Sequence, residues 1–151
     1  VIPDELITKI QNQGTFNQGF MTTELLAAAL LDMELHNLTD TENLNVVAFE
    51  KETMDKLGLI PEIAPRYRAT YFSHIIGGYA AGYYSYLWAE VLDTDAFEAF
   101  KEHGVFDKNT ADSFRKNILE KGGTEDPMTL YRGFRGADPS LEPLLKNRGL
   151  K

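Results

Sequence analysis

The sequence predicts an all-α protein, and three observations support that prediction. Apolar residues recur with the 3.6-residue period of a helix. No segment shows the two-residue alternation that is typical of a half-buried strand. Glycines and Asp-Pro pairs divide the chain at the places where helices are expected to end and begin. The clearest helical stripe consists of Leu25, Leu26, Ala29, Leu30 and Met33.

Three helices are predicted in the first part of the chain. Pro3 suits a first helical turn, because proline lacks only an N–H group that has no partner at that position. Thr22 or Thr23 is expected to cap the second helix with its side-chain oxygen. Gly58 is expected to end the third helix, since glycine readily adopts the left-handed conformation found there. The loops are predicted at 14–21, 37–43, 58–78, 104–109, 122–126 and 136–138.

The second part is predicted to begin with a long helix. This helix is expected to run from Tyr79 to His103 and to stop at Gly104. Thr110 is expected to cap the following helix. Asp126 and Asp138 each precede a proline, which predicts two further helix starts.

Length and composition restrict the class of protein. The chain has 151 residues, of which 43% are hydrophobic, and we expect residues 1–151 to form one helical domain. There are 15 basic against 23 acidic residues, so a broad nucleic-acid or anionic-membrane surface is not expected. The chain contains no cysteine, which excludes disulfides, thiolate metal sites and a cysteine nucleophile.

The segment 71–90 is the part of the sequence that suggests chemistry. It contains five of the seven tyrosines and the only tryptophan. Tyr79, Tyr83 and Tyr86 have the spacing that places side chains on one face of a helix. Neutral phenols that converge on one point can donate hydrogen bonds to an oxyanion. Gly77 and Gly78 precede the tyrosines and permit positive φ and close approach of the backbone to a ligand.

A structural explanation of the same residues is also open. Aromatic side chains at helical spacing are more often part of a hydrophobic core, with their hydroxyls reaching water. His74 lies just before the glycines and is, by the same argument, equally suited to a structural role. His36 and His103 are interpreted as solvated or capping residues. No H-E-x-x-H pattern is present, so no zinc site is predicted within this chain.

The pattern H-x-x-G-G-Y-x-x-x-Y-Y-x-Y-L-W at 74–88 resembles the thimet oligopeptidase and peptidyl-dipeptidase family of zinc metallopeptidases. The resemblance covers nearly the whole chain and is nearest to the bacterial peptidyl-dipeptidases, with oligopeptidase A as a close neighbour. It implies an all-α, C-terminal part of a zincin-type catalytic domain. Further familial segments are 16–20, 27–33, 58–63, 66–72 and 143–150.

The resemblance also implies roles for the residues already noted. Tyr86 would donate to the tetrahedral oxyanion, and Tyr83 would support it or the substrate carbonyl. His74 and Tyr79 would contact the peptide, and the two glycines would form a flexible loop over it. A carboxylate-binding group is needed for dipeptide release; the sequence does not identify it, and Arg132 and Arg135 are two of the residues that could serve.

In such enzymes a helix upstream bears H-E-x-x-H, and a later glutamate completes the zinc site. The resemblance therefore implies zinc in a longer parent protein and none bound to this chain, which alone is expected to be inactive. The expected partners are short peptides and the missing zinc-bearing region. This chain alone is also expected to self-associate through the surface that the zinc-bearing region would cover. The cytoplasm is expected, and the periplasm is the alternative. Two other functions stay open: a non-catalytic helical interaction domain and a peptide-binding domain that needs no metal.

Overall fold

The computed structural model describes residues 1–151 and confirms the all-α prediction. It contains helices and turns and no strand. None of the helices combines the length and the apolar character that crossing a membrane requires. The helices are α1 (Asp4–Gly14), α2 (Gln18–His36), α3 (Val46–Lys56), α4 (Ser85–His103), α5 (Lys108–Phe114), α6 (Pro127–Arg135) and α7 (Glu142–Asn147). A 3₁₀ turn covers Ser73–Ile76, and α5 continues into a π-helical turn at Arg115–Leu119.

The chain divides into two compact units. The first comprises Val1–Trp88 and the second Ala89–Lys151. The buried cluster of the first unit forms where α2 meets the segment between α3 and α4. The cluster consists of Ala28, Ala29, Phe72, Ile75 and Tyr83.

The start of α2 differs from the prediction. The helix begins at Gln18, so Thr22 and Thr23 lie inside it and the expected cap at either residue is wrong. Thr23 instead donates its hydroxyl hydrogen to the Gly19 carbonyl, 2.8 Å away within the helix. The preceding Asn17 adopts a left-handed conformation with φ of 57°, which reverses the chain directly after α1. The loop is therefore shorter than the glycines indicated.

Aspartates provide the side-chain caps in the second unit. Asp107, and not Thr110, caps α5, and its carboxylate accepts the Thr110 N–H at 2.7 Å. Asp126 caps α6 as predicted, accepting from the N–H three residues on at 2.9 Å. Asp138 does not cap α7, because its carboxylate pairs with Arg132 at 2.5 Å instead. The predicted terminating glycines with positive φ are Gly58, Gly104, Gly122 and Gly149.

The predicted helix from Tyr79 to His103 begins six residues later than expected. Residues 77–84 form consecutive turns, and α4 starts at Ser85. Three glycines in this stretch lower its helix propensity. Ala81 has a φ of 52°, which is incompatible with a continuous right-handed helix. The sequence spacing alone did not reveal this interruption.

Two helices of the first unit have apolar faces that this chain leaves uncovered. No residue of α1 is buried, and its apolar side chains Leu6, Ile7 and Ile10 are exposed. On α2 the buried stripe faces the core, while Leu26 and Leu30 on another face are exposed. A helix that is apolar on more than one face is normally covered on each of them.

We therefore expect this chain, produced alone, to self-associate. Its mass by light scattering should rise with concentration, because association removes these apolar faces from water. A variant with Leu26→Lys and Leu30→Lys should return towards monomer. Glu34→Gln is the control variant. It also makes the net charge more positive by one unit, but at a position of α2 that is already polar, so the mass should not change. A constant monomer mass up to high concentration would contradict the expectation.

Candidate functional site

The site is built on residues 77–86, which we call the tyrosine segment. Successive hydrogen bonds between residues three apart fold it into tight turns. The Ala80 N–H donates to the Gly77 carbonyl at 3.1 Å, and the Gly82 N–H donates to the Tyr79 carbonyl at 2.9 Å. The Ser85 N–H then donates to the Gly82 carbonyl at 3.0 Å and leads into α4. These turns advance about three residues each, so residues three or four apart still lie close together.

A buried aspartate on α2 holds this segment in place. Asp32 is 0% exposed, and its carboxylate accepts the N–H groups of Ala81 at 3.0 Å and Tyr83 at 2.9 Å. The Nδ1 atom of His36 lies 2.8 Å from the same carboxylate. Sequence reasoning missed Asp32. Its only signal was a single acidic residue within the apolar run 25–33.

The inner part of the site is an aromatic cluster. The ring of Tyr83 is 4% exposed and packs edge-on against Phe72 at 4.9 Å and His74 at 5.5 Å between ring centres. Tyr67 also contacts His74, with ring centres 4.7 Å apart. The core interpretation is therefore correct for the ring of Tyr83, which fixes the position of the rings beside it.

The outer part of the site is a pair of exposed phenols. Tyr79 and Tyr86 are 40% and 42% exposed, and their rings stack with centres 5.1 Å apart. Tyr86 also meets Tyr83 at 5.1 Å. The structure thus brings the three predicted tyrosines together, although two of them lie on turns. Tyr84 is exposed and has no ring contact with this cluster.

The pKa values of Tyr83 and Tyr86 lie above the ordinary value of 10.0. A hydrogen bond with the Tyr79 side chain, with a smaller effect of desolvation, raises the pKa of Tyr86 to about 12. Burial raises the pKa of Tyr83, and the nearby Arg66 guanidinium offsets part of that effect. A tyrosine with the ordinary pKa is already neutral at pH 7, and these shifts extend the range of the neutral form to higher pH.

The Tyr86 shift predicts a measurable pH dependence. Its pKa lies above the ordinary value of 10.0, so the neutral phenol is favoured in the folded protein. This group thus favours folding below about pH 10 and loses that contribution as the pH rises through about 12. Tyr79→Phe should lower the Tyr86 pKa towards 10, as measured by ultraviolet absorbance of ionised tyrosine. The titration of Tyr86 is isolated by subtracting, from each protein, the titration of the same protein with Tyr86→Phe. A Tyr86 pKa that is the same with and without Tyr79→Phe would contradict the assignment of the shift to Tyr79.

The remaining predicted site residues are His74, which lies within the aromatic cluster, and the two glycines that precede Tyr79. His74 is partly buried, and its Nδ1 atom is buried without a hydrogen-bond partner in this chain. Gly77 and Gly78 are exposed, and a Cβ atom on either would meet only open space. Neither glycine has a positive φ, so the conformational reason suggested for them is wrong here. Their contribution is an unobstructed backbone beside the phenols.

Comparison with known proteins decides the family. A model of peptidase family M3 matches residues 1–150. The chain belongs to peptidase family M3. It is 45% identical to the dipeptidyl carboxypeptidase of Escherichia coli (strain K12) over 99% of this chain and 22% of that protein. It is 38% identical to the oligopeptidase A of Haemophilus influenzae, over 99% of this chain and 22% of that protein. It is 30% identical to the saccharolysin of Saccharomyces cerevisiae, over 99% of this chain and 21% of that protein. The resemblance noted in the sequence is confirmed, and the chain spans about a fifth of the length of these M3 relatives.

The zinc that the M3 family implies does not fit the residues of this chain. No group of three or more His, Asp or Glu side chains is placed to hold a metal ion. His36 is hydrogen-bonded to Asp32, and the Nδ1 atom of His103 lies 3.3 Å from the Thr110 hydroxyl. His74 lies in the aromatic cluster. Residues 1–151 therefore offer no zinc ligand set.

The two arginines that the sequence offered for a substrate carboxylate already have acidic partners in this M3 chain. Arg135 binds Glu102 through two hydrogen bonds of 2.8 and 3.0 Å. Arg132 pairs with Asp138. Either guanidinium would have to break an ion pair to bind a peptide C-terminus, so the geometry favours neither.

Proposed function

We propose that this chain forms the peptide-binding and oxyanion-stabilising part of a zinc-dependent M3 peptidase. In this proposal the full-length protein hydrolyses short peptides and releases dipeptides from their C-termini. The observation that supports it best is the exposed Tyr79–Tyr86 pair, which is backed by the buried Tyr83 ring. Exposed phenols fixed by a rigid cluster are typical of donors that act on a bound ligand.

Tyr86 is the proposed donor to the oxyanion. Attack on a peptide carbonyl places negative charge on the carbonyl oxygen, and a donor already in position stabilises that charge without reorganisation. The neutral Tyr86 hydroxyl is hydrogen-bonded to the Tyr79 side chain, and in this proposal it turns that hydrogen bond to the oxyanion when a peptide is bound. Tyr83 supports the Tyr86 ring, and its own hydroxyl, next to Arg66, is the second candidate donor.

Tyr79, His74 and the two glycines are proposed to bind the peptide. Tyr79 is exposed beside Tyr86 and can hydrogen-bond to a neighbouring part of the substrate. The open space beside Gly77 and Gly78 leaves room for an extended peptide to approach the backbone. His74 stands at the end of this surface, within ring contact of Tyr79 at 6.2 Å.

The remaining parts of the proposed enzyme lie outside these residues. Zinc, which would activate the attacking water, is assigned to the rest of the full-length protein, because this chain has no ligand set for it. The group that binds a substrate carboxylate is not assigned to Arg132 or Arg135, since both are paired with acidic side chains. The zinc-bearing region and short peptides are the proposed partners, and this chain alone is expected to be inactive.

Product analysis with the full-length protein and zinc tests this function. A short N-acetylated peptide with a free C-terminus should lose dipeptides successively, as seen by mass spectrometry. The same peptide with a C-terminal amide should react much more slowly, because it lacks the recognised carboxylate. Equal cleavage of both peptides would favour an internal-cleaving oligopeptidase. No cleavage of either would favour the helical interaction domain.

A further inference from the structure

We propose that Asp32 is a positioning residue, which holds the tyrosine segment in the geometry needed for oxyanion stabilisation. The inference rests on the proposed function of Tyr86 and adds a residue remote from it in sequence. Asp32 lies on α2, whereas Tyr79 and Tyr83 lie on the turns before α4 and Tyr86 lies in its first turn. It contacts no tyrosine hydroxyl and acts on the backbone of the segment alone.

The two carboxylate oxygens bind two different N–H groups of the segment. Oδ1 accepts from Ala81 at 3.0 Å and Oδ2 accepts from Tyr83 at 2.9 Å. Because these donors flank Gly82, the pair of bonds fixes the orientation of the turn as well as its position. His36 Nδ1 lies 2.8 Å from Oδ1 and 2.9 Å from the main-chain carbonyl oxygen of Asp32.

The backbone conformation indicates that this anchor, and not the local sequence, defines the turn. Ala81 has a φ of 52°, which a residue with a Cβ atom disfavours. The adjacent Gly82 could adopt such a φ without strain, yet it is not among the residues with positive φ. Strained conformations persist where the surrounding contacts over-determine them, and they cluster at functional sites.

The anchor is connected to Tyr86 through a short path. The Tyr83 N–H binds Asp32, and the Tyr83 carbonyl accepts the Tyr86 N–H at 3.4 Å. The rings of Tyr83 and Tyr86 are also in contact. A displacement of the turn would therefore move the proposed oxyanion donor, and catalysis is sensitive to shifts of about 1 Å.

Asp32→Asn in the full-length protein tests the inference. The amide has the shape of the carboxylate, but its NH₂ group cannot accept a hydrogen bond, so one of the two N–H groups loses its partner. We expect kcat to fall about 10- to 100-fold, with KM changed much less. Glu50→Gln is the matched control. Glu50 is a buried carboxylate that accepts the Ala69 N–H at 2.7 Å and makes no contact with the tyrosine segment.

A double-mutant cycle separates positioning from a general loss of stability. If Asp32 acts through Tyr86, Asp32→Asn should cost little further activity in a Tyr86→Phe background. Glu50→Gln should have the same effect in both backgrounds. Full additivity of Asp32→Asn and Tyr86→Phe would overturn the inference.

Two further measurements keep the inference testable if Asp32→Asn is poorly folded or Tyr86 proves inert. The rate of amide hydrogen exchange in residues 77–86 should increase in Asp32→Asn and should not increase in Glu50→Gln. An unchanged exchange rate in these residues of Asp32→Asn would overturn the inference. Ala81→Gly relieves the strained φ and should restore part of the activity lost in Asp32→Asn, whereas no restoration would count against positioning. If Tyr86→Phe is fully active, the proposed function fails, and the exchange result still decides whether Asp32 holds the segment.

Discussion

Tyr86→Phe in the full-length protein is expected to lower kcat about 10²- to 10³-fold, the usual effect of removing one oxyanion donor. KM should change little, because the proposed hydrogen bond forms with charge that develops only in the transition state. The ring contacts with Tyr79 and Tyr83 need no hydroxyl, so the fold of the site should be retained. Steady-state hydrolysis of a short quenched peptide measures both constants.

Tyr84→Phe is the matched control for this substitution. It removes the same hydroxyl from a tyrosine of the same segment that is exposed and has no ring contact with the cluster. Its kcat should remain within a few-fold of wild type. Equal losses in the two variants would contradict a specific role for Tyr86, and so would full activity in both.

The largest expected effect on stability comes from Phe72→Ala. Phe72 is 1% exposed and packs against both Tyr67 and Tyr83, so truncation leaves a cavity beneath the site. Phenylalanine-to-alanine changes in cores cost about 3–5 kcal/mol. Urea unfolding of this chain at low concentration, followed by aromatic circular dichroism, should show a corresponding loss in the free energy of unfolding.

Phe106→Ala provides the comparison for that loss. Phe106 is 98% exposed, so its truncation should change the free energy of unfolding by no more than about 0.5 kcal/mol. If Phe72→Ala were as mild as this control, the aromatic cluster would not be a rigid support for the tyrosines. Exchange of Tyr83 and Tyr86 between conformations would then be expected.

The grouping of the tyrosines could be predicted from the sequence, although the helix invoked for it was wrong. Tyr79, Tyr83 and Tyr86 are three or four residues apart, and this spacing brings side chains together on a helix and on successive turns alike. The exact start of α4 at Ser85 could not be predicted, because the spacing of the tyrosines does not reveal the positive φ of Ala81 that interrupts the helix.

Long-range contacts explain most of what sequence reasoning missed. The hydrogen bonds that Asp32 accepts join residues 49 and 51 positions apart in the sequence. Local sequence patterns do not indicate which residues form such distant pairs. The same is true of Glu50, which binds Arg68 and the Ala69 N–H, 18 and 19 positions away in the sequence. The single acidic residue in the apolar run 25–33 is the signal that could have indicated Asp32, whereas Glu50 lies among other charged residues of α3 and gives no such signal.

Binding of a tetrahedral phosphinic peptide tests the central claim most directly. Such a peptide resembles the transition state, so its affinity should report the interaction that we assign to Tyr86. If the claim is correct, Tyr86→Phe will weaken this inhibitor by about the same factor as it lowers kcat/KM, while the affinity for a product peptide stays nearly constant. A large loss of kcat/KM with unchanged inhibitor affinity would contradict the assignment of Tyr86 as the oxyanion donor.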